Sequence, residues 1–466
     1  MKGKNIIDFI IPIKNCHLWS PEDPFLYRLE VTTGKDSKKE RFGMRTFKFD
    51  KVTKTAVLND KPIAMLGTNV CIYRFFEDSI REELPWNEEW VRKLHQTFKT
   101  MNSNCIRYCI GFPPEKWYEI ADELGFLIQD EYPIWTFRNS IKSTENALVE
   151  EYTRWMRERW NHPCVVIWDA QNETVSDITG NAIRRVRKLD LSNRPWDNGY
   201  SAPQSEDDCQ ESHPYIFSQY SRGTTKPSAN GYMKDIFNQK RIPHNLPPDS
   251  PKGTVKPTNP VIINEYDWLW INRNGTPSKL TKEVYKRLLG DSLTVEQTRS
   301  FHAENVGLLT EYWRCHRVAA VIMHFCGLGY SRPDNPPGET SDDLIDVKNL
   351  IVEPHFFEMT QHKFAPLCIM INKWENNYKP GEELDIPVIA INDLQTAWNG
   401  PLFLSIKKEN KTILQLRNDV VVESLGQNIV NFKLNTPLEP GNYELVSELE
   451  YKGRKISSVR KFQVIK

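Results

Sequence analysis

The chain lacks the features that mark a membrane-spanning protein, a secreted disulfide protein or a nucleic-acid-binding protein. No apolar run approaches the roughly 20 residues that cross a bilayer. Its 61 basic residues are matched by 61 acidic ones, so no basic excess is present to attract nucleic acid or an anionic membrane. The nine cysteines include no Cys-x-x-Cys pair, which favours buried free thiols and a reducing compartment.

The opening stretch MKGKNIIDFIIPIKNCHLW does not have the form of a signal peptide. Asp8 and Pro12 interrupt its apolar run, which is already short. The sequence therefore leaves two alternatives for the compartment. We expect a cytoplasmic protein, or a periplasmic or secreted one if a natural N-terminal part is missing from this chain.

Three regions with different periodicities are present in the 466 residues. Residues 1–50 alternate like the last strands of a β-sandwich, with GKDSKKE predicted as a charged hairpin turn. Residues 51–365 alternate apolar strands with amphipathic helices, and eight such strands predict a (β/α)8 barrel. Residues 366–466 return to short alternating strands and predict a second β-sandwich. The fold class is therefore multidomain, α/β plus all-β.

Two long segments rich in proline, glycine and polar residues interrupt the barrel pattern. They are 216–259 after the sixth predicted strand and 330–349 after the eighth. Loops of this length in a compact domain are usually functional or disordered. Both are predicted to lie at the C-terminal face of the barrel, where barrel enzymes have their active sites.

Two glutamates at that face are the strongest candidates for chemistry. Glu173 follows the apolar run of the fourth strand and Glu265 that of the seventh, and these strands lie across the barrel from each other. Two carboxylates about 5–5.5 Å apart hydrolyse a glycosidic bond with retention, one as acid/base and the other as nucleophile. Arg107, at the end of the second strand, would keep the nucleophile anionic. The alternative is structural: Glu173 would cap the next helix and Glu265 would form an ion pair.

Other polar and aromatic residues near strand ends are predicted to bind substrate. They are Asn69, Asp130, Asn172, His213, Tyr215, Tyr266 and His324, with Trp135 and Trp268 placed to stack on sugar rings. For the tryptophans the alternative is core or rim packing. No metal site is predicted, because neither histidine has a third ligand at suitable spacing.

The motifs RFGMRTFKFD, NCIRY, NHPCVVIWDAQNE, ESHPY and INEYDW occur in the order found in glycoside hydrolase family 2. The chain resembles this family of β-galactosidases, β-glucuronidases and β-mannosidases, without its N-terminal jelly-roll domain. The resemblance implies that Glu173 is the acid/base and Glu265 the nucleophile. It implies that Asn172 bonds the sugar 2-hydroxyl and that Arg107 lies beside the nucleophile. It also implies a partial immunoglobulin-like domain, a catalytic barrel and a C-terminal sandwich.

Departures from the family pattern leave the sugar open. Val70 and Cys71 stand where a histidine often follows the first strand's asparagine, and VIMHF replaces a common tryptophan at the eighth strand. The expectation is a retaining exo-β-glycosidase acting on a β-galactoside. A β-glucuronide or β-galacturonide is the next alternative, followed by a β-mannoside.

The expected partner is a carbohydrate, and a homo-oligomer is compatible with the sequence. The mechanism requires no cofactor. Binding of Mg²⁺ or Na⁺ is implied only by the resemblance, because some members of the family bind these ions. The rival interpretation is a carbohydrate-binding protein without catalysis, or an inactive fragment.

Overall fold

The computed structural model describes residues 7–136, 141–221, 258–317, 319–330 and 342–466. Within them it confirms a (β/α)8 barrel flanked by separate β-sheets. No helix among these residues is both long and apolar enough to cross a membrane.

Most of both predicted long loops, namely residues 222–257 and 331–341, lies outside the described residues.

The N-terminal part carries five short strands in two small antiparallel sheets. They are β1 (Tyr27–Thr33), β2 (Asp36–Phe42), β3 (Phe47–Phe49), β4 (Ala56–Leu58) and β5 (Lys61–Ile63). β1 pairs with β2, and β3, β4 and β5 form the other sheet. The charged stretch 36–40 is thus strand rather than the predicted turn, because exposed positions on a two-stranded sheet keep charged side chains in water. The predicted boundary between residues 50 and 51 separates β3 from β4, which pair with each other.

This N-terminal part is fixed to the barrel by buried contacts. Trp19 is fully buried, and its Nε1–H donates to the carbonyl of Asp122 at 2.8 Å. The Nε of Arg45 donates to the carbonyl of Pro163 at 3.0 Å. The two regions therefore share a packed interface.

Eight parallel strands in the described residues form the barrel. They are β6 (Met65–Cys71), β7 (Cys105–Cys109), β8 (Leu127–Glu131), β9 (Val165–Asp169), β10 (Trp196–Asp197), β11 (Gln210–Ser212), β12 (Val261–Ile263) and β13 (Val321–Leu328). Their order is β10-β9-β8-β7-β6-β13-β12-β11. The N–H of Cys209 donates to the carbonyl of Trp196 at 3.1 Å and links the two ends of the sheet.

Amphipathic helices cover the barrel and connect its strands. They are α1 (Ile72–Glu77), α2 (Glu88–Thr100), α3 (Glu115–Leu124), α4 (Glu145–Arg159), α5 (Asp177–Val186), α6 (Ser218–Ser221), α7 (Lys282–Leu289), α8 (Val295–Cys315) and α9 (Pro354–Lys363). α2 begins after Asn87, whose side chain accepts from the N–H of Trp90, and its buried face includes Leu94 and Phe98. The sequence analysis did not identify α1, α6, α7 or α9.

The C-terminal part is a two-sheet sandwich preceded by the short pair β14 (Leu344–Asp346) and β15 (Ile351–Val352). Its strands are β16 (Leu367–Ile371), β17 (Asn377–Tyr378), β18 (Glu383–Asn392), β19 (Trp398–Lys408), β20 (Lys411–Val422), β21 (Gln427–Asn435), β22 (Gly441–Tyr451) and β23 (Arg454–Val464). One sheet has the order β16-β18-β21 and the other β17-β23-β22-β19-β20. Their facing sides bury a separate apolar core.

Candidate active site

The two glutamates lie in the loops that follow their strands. The sequence analysis placed Glu173 and Glu265 at the ends of their strands. β9 ends at Asp169 and β12 at Ile263, so both glutamates lie beyond the strand ends. Glu173 adopts the left-handed region at φ 42°, a conformation that often marks a functional turn in a non-glycine residue. It does not cap α5, because Ser176 occupies that position and accepts from the backbone N–H of Ile178.

Glu173 and Glu265 face each other across His213. One oxygen of each glutamate and one ring nitrogen of His213 all lie within 4.8 Å of one another. Nδ1 of His213 is 3.0 Å from Oε1 of Glu173 and 3.6 Å from Oε2 of Glu265. The structure therefore brings together three residues that are far apart in the sequence.

Each glutamate has its own set of additional donors. Nη1 of Arg107 donates to Oε1 of Glu265 at 2.7 Å, and the hydroxyl of Tyr215 donates to Oε2. Glu173 accepts from Nε1 of Trp135 and from the hydroxyl of Tyr200, each at 3.1 Å. Glu265 is the more deeply held of the two, with a side chain 6% exposed against 14% for Glu173.

Arg107 is the centre of the buried network below this pair. It is fully buried, and its Nη1 and Nη2 reach Asn69 Oδ1 at 3.3 Å and Asn172 Oδ1 at 2.8 Å. Its Nε donates to Oδ2 of Asp169 at 3.0 Å, and Nη2 also pairs with Glu131. Asn69 and Asn172 are thereby fixed beside Glu265, as predicted substrate-binding residues would need to be.

The electrostatics of the site favour a proton on His213, which lies between Glu173 and Glu265. Burial alone lowers the pKa of His213, but the charges of Glu265 and Glu211 and the hydrogen bonds to Glu173 and Glu211 raise this pKa well above its ordinary value. Burial alone raises the pKa of Glu173, but the hydrogen bond and charge of His213 lower it overall. Both shifts favour a protonated His213 beside an ionised Glu173.

Three predicted substrate-binding residues point away from the pair. Asp130 accepts from Tyr118 at 2.6 Å and Trp155 at 2.7 Å, on the outer face of β8. The hydroxyl of Tyr266 lies 2.7 Å from Oγ1 of Thr310 on α8.

His324 is the third of these residues. Its Nε2 lies 2.7 Å from Asp343, and its ring packs against Phe356 and Phe364. Side chains alternate along a strand, so both neighbours of an inward-facing residue face outward. The structure thus gives Asp130, Tyr266 and His324 contacts outside the barrel interior.

Trp268 packs against Tyr215, whose hydroxyl donates to Glu265, and so lies beside the site. Their ring centroids are 5.0 Å apart, and Trp268 also packs 4.7 Å from the buried Trp270. Stacking of Trp268 on a sugar stays a prediction.

Part of the polar layer around the two glutamates was not predicted. The strand-end pattern includes Glu131 and Asp197, but the sequence analysis missed the buried Gln129, Asp169, Glu211 and Asn264 and the partly buried Tyr200. A signal was available in two strands, where Gln129 and Glu131, and Glu211 and His213, stand two residues apart. That spacing puts both members of each pair on the same face of their strand.

Glu173, His213 and Glu265 offer ligand atoms close enough together to hold a metal ion. Nδ1 of His213 faces Glu173 and Glu265, while Nε2 lies 3.1 Å from Glu211. Only a ring with an unprotonated nitrogen could bind a metal, because a doubly protonated imidazole has no free lone pair. That the chemistry needs no metal stays a prediction.

A (β/α)8 barrel that brings two glutamates face to face at the carboxyl ends of its strands has the architecture of a retaining glycoside hydrolase. Residues 51–305 match the family model described as glycosyl hydrolases family 2, TIM barrel domain. Residues 2–45 match a second model, described as glycosyl hydrolases family 2. The first match covers more than half of the chain, and the chain belongs to glycosyl hydrolases family 2.

Named relatives agree with this membership. Beta-galactosidase 2 of Enterobacter cloacae is 27% identical over 451 residues, which cover 92% of this chain and 40% of that protein. A putative beta-glucuronidase of Formosa agariphila is 29% identical over 212 residues, covering 42% of this chain and 19% of that protein. The chain thus spans well under two thirds of these relatives.

Two solved structures share the fold. Beta-D-mannosidase from Dictyoglomus thermophilum superposes with a TM-score of 0.63 at 16% identity, covering 97% of this chain and 58% of that one. The exo-chitosanase CsxA of Amycolatopsis orientalis gives a TM-score of 0.63 at 12% identity, covering 96% of this chain and 55% of that one.

Proposed function

We propose that this protein is a retaining exo-β-glycosidase that removes a β-linked sugar from the non-reducing end of a carbohydrate. One observation carries the proposal: an oxygen of Glu173 and an oxygen of Glu265 lie within 4.8 Å of each other. Retaining enzymes hold their carboxyl groups about 5–5.5 Å apart, whereas inverting enzymes leave about 6.5–9.5 Å for a water molecule. The observed separation supports direct attack by one carboxylate.

Glu265 is the proposed nucleophile. Its carboxylate attacks the anomeric carbon and forms a covalent glycosyl ester as the bond to the leaving oxygen breaks. Arg107, at 2.7 Å, and the hydroxyl of Tyr215 donate hydrogen bonds to this carboxylate and fix its direction. Glu173 protonates the leaving oxygen and then accepts a proton from the water that hydrolyses the ester.

His213 supplies the proton that Glu173 lacks in the free protein. The proton on Nδ1 is separated from Glu173 by a 3.0 Å hydrogen bond. Bound sugar shields Glu173 from water, which favours its neutral form and transfer of this proton. When Glu265 becomes a neutral ester, one charge that raises the pKa of His213 is lost, which favours the same transfer. After the water attacks, Glu173 returns the proton to His213.

A β-galactoside is the proposed first substrate. Two relatives named beta-galactosidase, both from Enterobacter cloacae, match 92% of the chain, which supports this choice over the alternatives. A β-glucuronide or β-galacturonide is the second choice and a β-mannoside the third.

A panel of nitrophenyl glycosides tests the proposal. β-Galactoside, β-glucuronide, β-galacturonide, β-mannoside and β-glucoside are assayed beside the Glu265→Gln variant. We expect one sugar to be released by the wild type and not by the variant. Full activity in Glu265→Gln contradicts the mechanism, and binding without turnover by a cooperatively melting protein favours a carbohydrate-binding protein.

A further inference from the structure

Beneath the catalytic pair, five neighbouring strands each direct a polar side chain into the barrel. They are Gln129 on β8, Asp169 on β9, Asp197 on β10, Glu211 on β11 and Asn264 just after β12. None of the five is more than 3% exposed. Barrel interiors are usually filled by branched apolar side chains, so a fully polar layer requires a physical explanation.

Three carboxylates of this layer converge on one point. One oxygen from each of Asp169, Asp197 and Glu211 lies within 4.8 Å of the other two. Oxygen ligands of a single Mg²⁺ or Ca²⁺ stand about 2.0–2.6 Å from the ion and hence at such separations from one another. Carboxylate and amide oxygens are also the ligands that these ions prefer.

Each carboxylate uses only one of its oxygens for hydrogen bonds within the protein. Oδ2 of Asp169 accepts from Arg107 at 3.0 Å, and Asn264 donates to Oδ2 of Asp197 at 3.0 Å and Oε2 of Glu211 at 2.9 Å. The other oxygens, Oδ1, Oδ1 and Oε1, are buried and have no hydrogen-bond partner in the part of the chain that the structure describes. Buried acceptors without a donor are costly.

The two amides provide a second, independent observation. Nε2 of Gln129 donates to Asp169 at 2.8 Å and to Asp197 at 3.1 Å, so its side chain is directed into the carboxylate cluster. Its Oε1, like Oδ1 of Asn264, is buried with no partner among the described residues. Because the oxygen and nitrogen of an amide have nearly the same shape, turning either amide over directs its oxygen toward the carboxylates. With both amides turned, their oxygens and those of the three carboxyl groups would form one set of oxygen ligands.

The carboxyl groups of this interior surround the guanidinium of Arg107. Arg107 pairs with Glu131, Asp169 and Glu265, and its Nη2 lies 3.6 Å from Oε2 of Glu211. A water molecule supplies only two donors, whereas a divalent cation can bind one oxygen from each of the three converging carboxyl groups and from both amides.

We infer that Asp169, Asp197 and Glu211, with the amide oxygens of Gln129 and Asn264, bind a divalent cation of the Mg²⁺ or Ca²⁺ class inside the barrel. Asp169 holds Nε of Arg107, and Glu211 holds Nε2 of His213. The ion therefore fixes the two residues that contact the catalytic glutamates, and it does so without touching the substrate.

Calorimetric titration of chelator-treated, full-length protein with CaCl2 or MgCl2 tests this site. The variant Asp197→Asn removes a ligand charge at constant shape, and Glu173→Gln is the matched control at the catalytic pair. We expect one ion per chain in the wild type and in Glu173→Gln, and binding weaker by roughly tenfold or more in Asp197→Asn. Loss of binding in Glu173→Gln with retention in Asp197→Asn overturns the inference, as does absence of binding at millimolar metal.

Crystals of the wild type grown with MnCl2 locate the ion without relying on any variant. An anomalous peak between Asp169, Asp197 and Glu211 supports the inference. A peak only at Glu173 and Glu265, or none, refutes it and leaves shared protons as the compensation. Both measurements omit substrate, so their outcome is independent of whether the protein hydrolyses a glycoside.

Discussion

The barrel interior and the interior of the C-terminal sandwich obey the same alternation but are filled differently. In β19 of the sandwich, Leu402, Leu404 and Ile406 point inward and are at most 2% exposed. In β8 of the barrel, the inward residues at the same spacing are Gln129 and Glu131. Period-two alternation therefore determines which residues are buried, and it does not determine whether the buried layer stabilises the fold or performs chemistry.

The two interiors also differ in their energetics. Aliphatic side chains in the sandwich gain free energy by leaving water. Buried carboxylates in the barrel lose hydration and depend on Arg107 and His213 for compensation, so they contribute little net stability. Substitutions in the barrel layer should therefore change the rate most, and substitutions in the sandwich should change the free energy of unfolding most.

The largest expected effect is that of Glu265→Gln on the rate. Removing the proposed nucleophile at nearly constant shape should lower kcat by more than about 10³-fold. Steady-state assays on the active nitrophenyl glycoside measure this loss, and circular dichroism checks that the fold is retained. A loss below tenfold would remove Glu265 from the mechanism.

Glu173→Ala should lower the rate by about 10²–10⁴-fold on substrates whose leaving group needs protonation. Dinitrophenyl glycosides need no acid, so their first step should be much less affected. Azide is an anionic nucleophile that attacks the glycosyl ester without a base, so it should restore turnover with release of a glycosyl azide and the free Glu265 carboxylate. Equal losses on both classes of leaving group, without azide rescue, would contradict the acid/base role.

Leu404→Ala should separate the sandwich from the barrel. Leu404 is fully buried, and its truncation should cost about 2–5 kcal/mol of unfolding free energy with kcat unchanged. Leu438→Ala is the matched control, because Leu438 is 78% exposed and should change stability by less than about 0.5 kcal/mol. Urea unfolding measures both. A large fall in kcat for folded Leu404→Ala would show that the two interiors are coupled.

The smallest expected effect concerns His162 outside both interiors. Burial lowers its pKa, but hydrogen bonds to Asp122 and Glu115 raise it from 6.5 to about 9. The proton therefore stabilises the fold fully below pH 6.5, and this contribution is lost as pH rises through about 9.

We expect the wild type to lose about 1–3 kcal/mol more than His162→Gln between pH 6.5 and 9. Urea unfolding at several pH values measures the difference between the two proteins. Parallel pH curves would show that the buried imidazole is not protonated.

Much of the fold was accessible from the sequence because the signals are local. The change from period two to strand–helix alternation predicted the barrel, which the structure confirms. The apolar runs before Asn172 and before Glu265 identified the loops of the candidate site. The outward directions of Asp130 and His324 could not be read from the sequence, because β8 and β13 are buried on both faces and hydrophobicity does not distinguish inward from outward residues there.

The sequence by itself determined the order of the elements, the family and the two glutamates, since each depends on residues adjacent along the chain. Only the tertiary structure decided that Gln129, Asp169, Asp197 and Glu211 form one layer and that His213 stands between the glutamates. These residues come from different strands, and their meeting depends on strand tilt and barrel closure. Those are properties of the whole sheet, which no local pattern encodes.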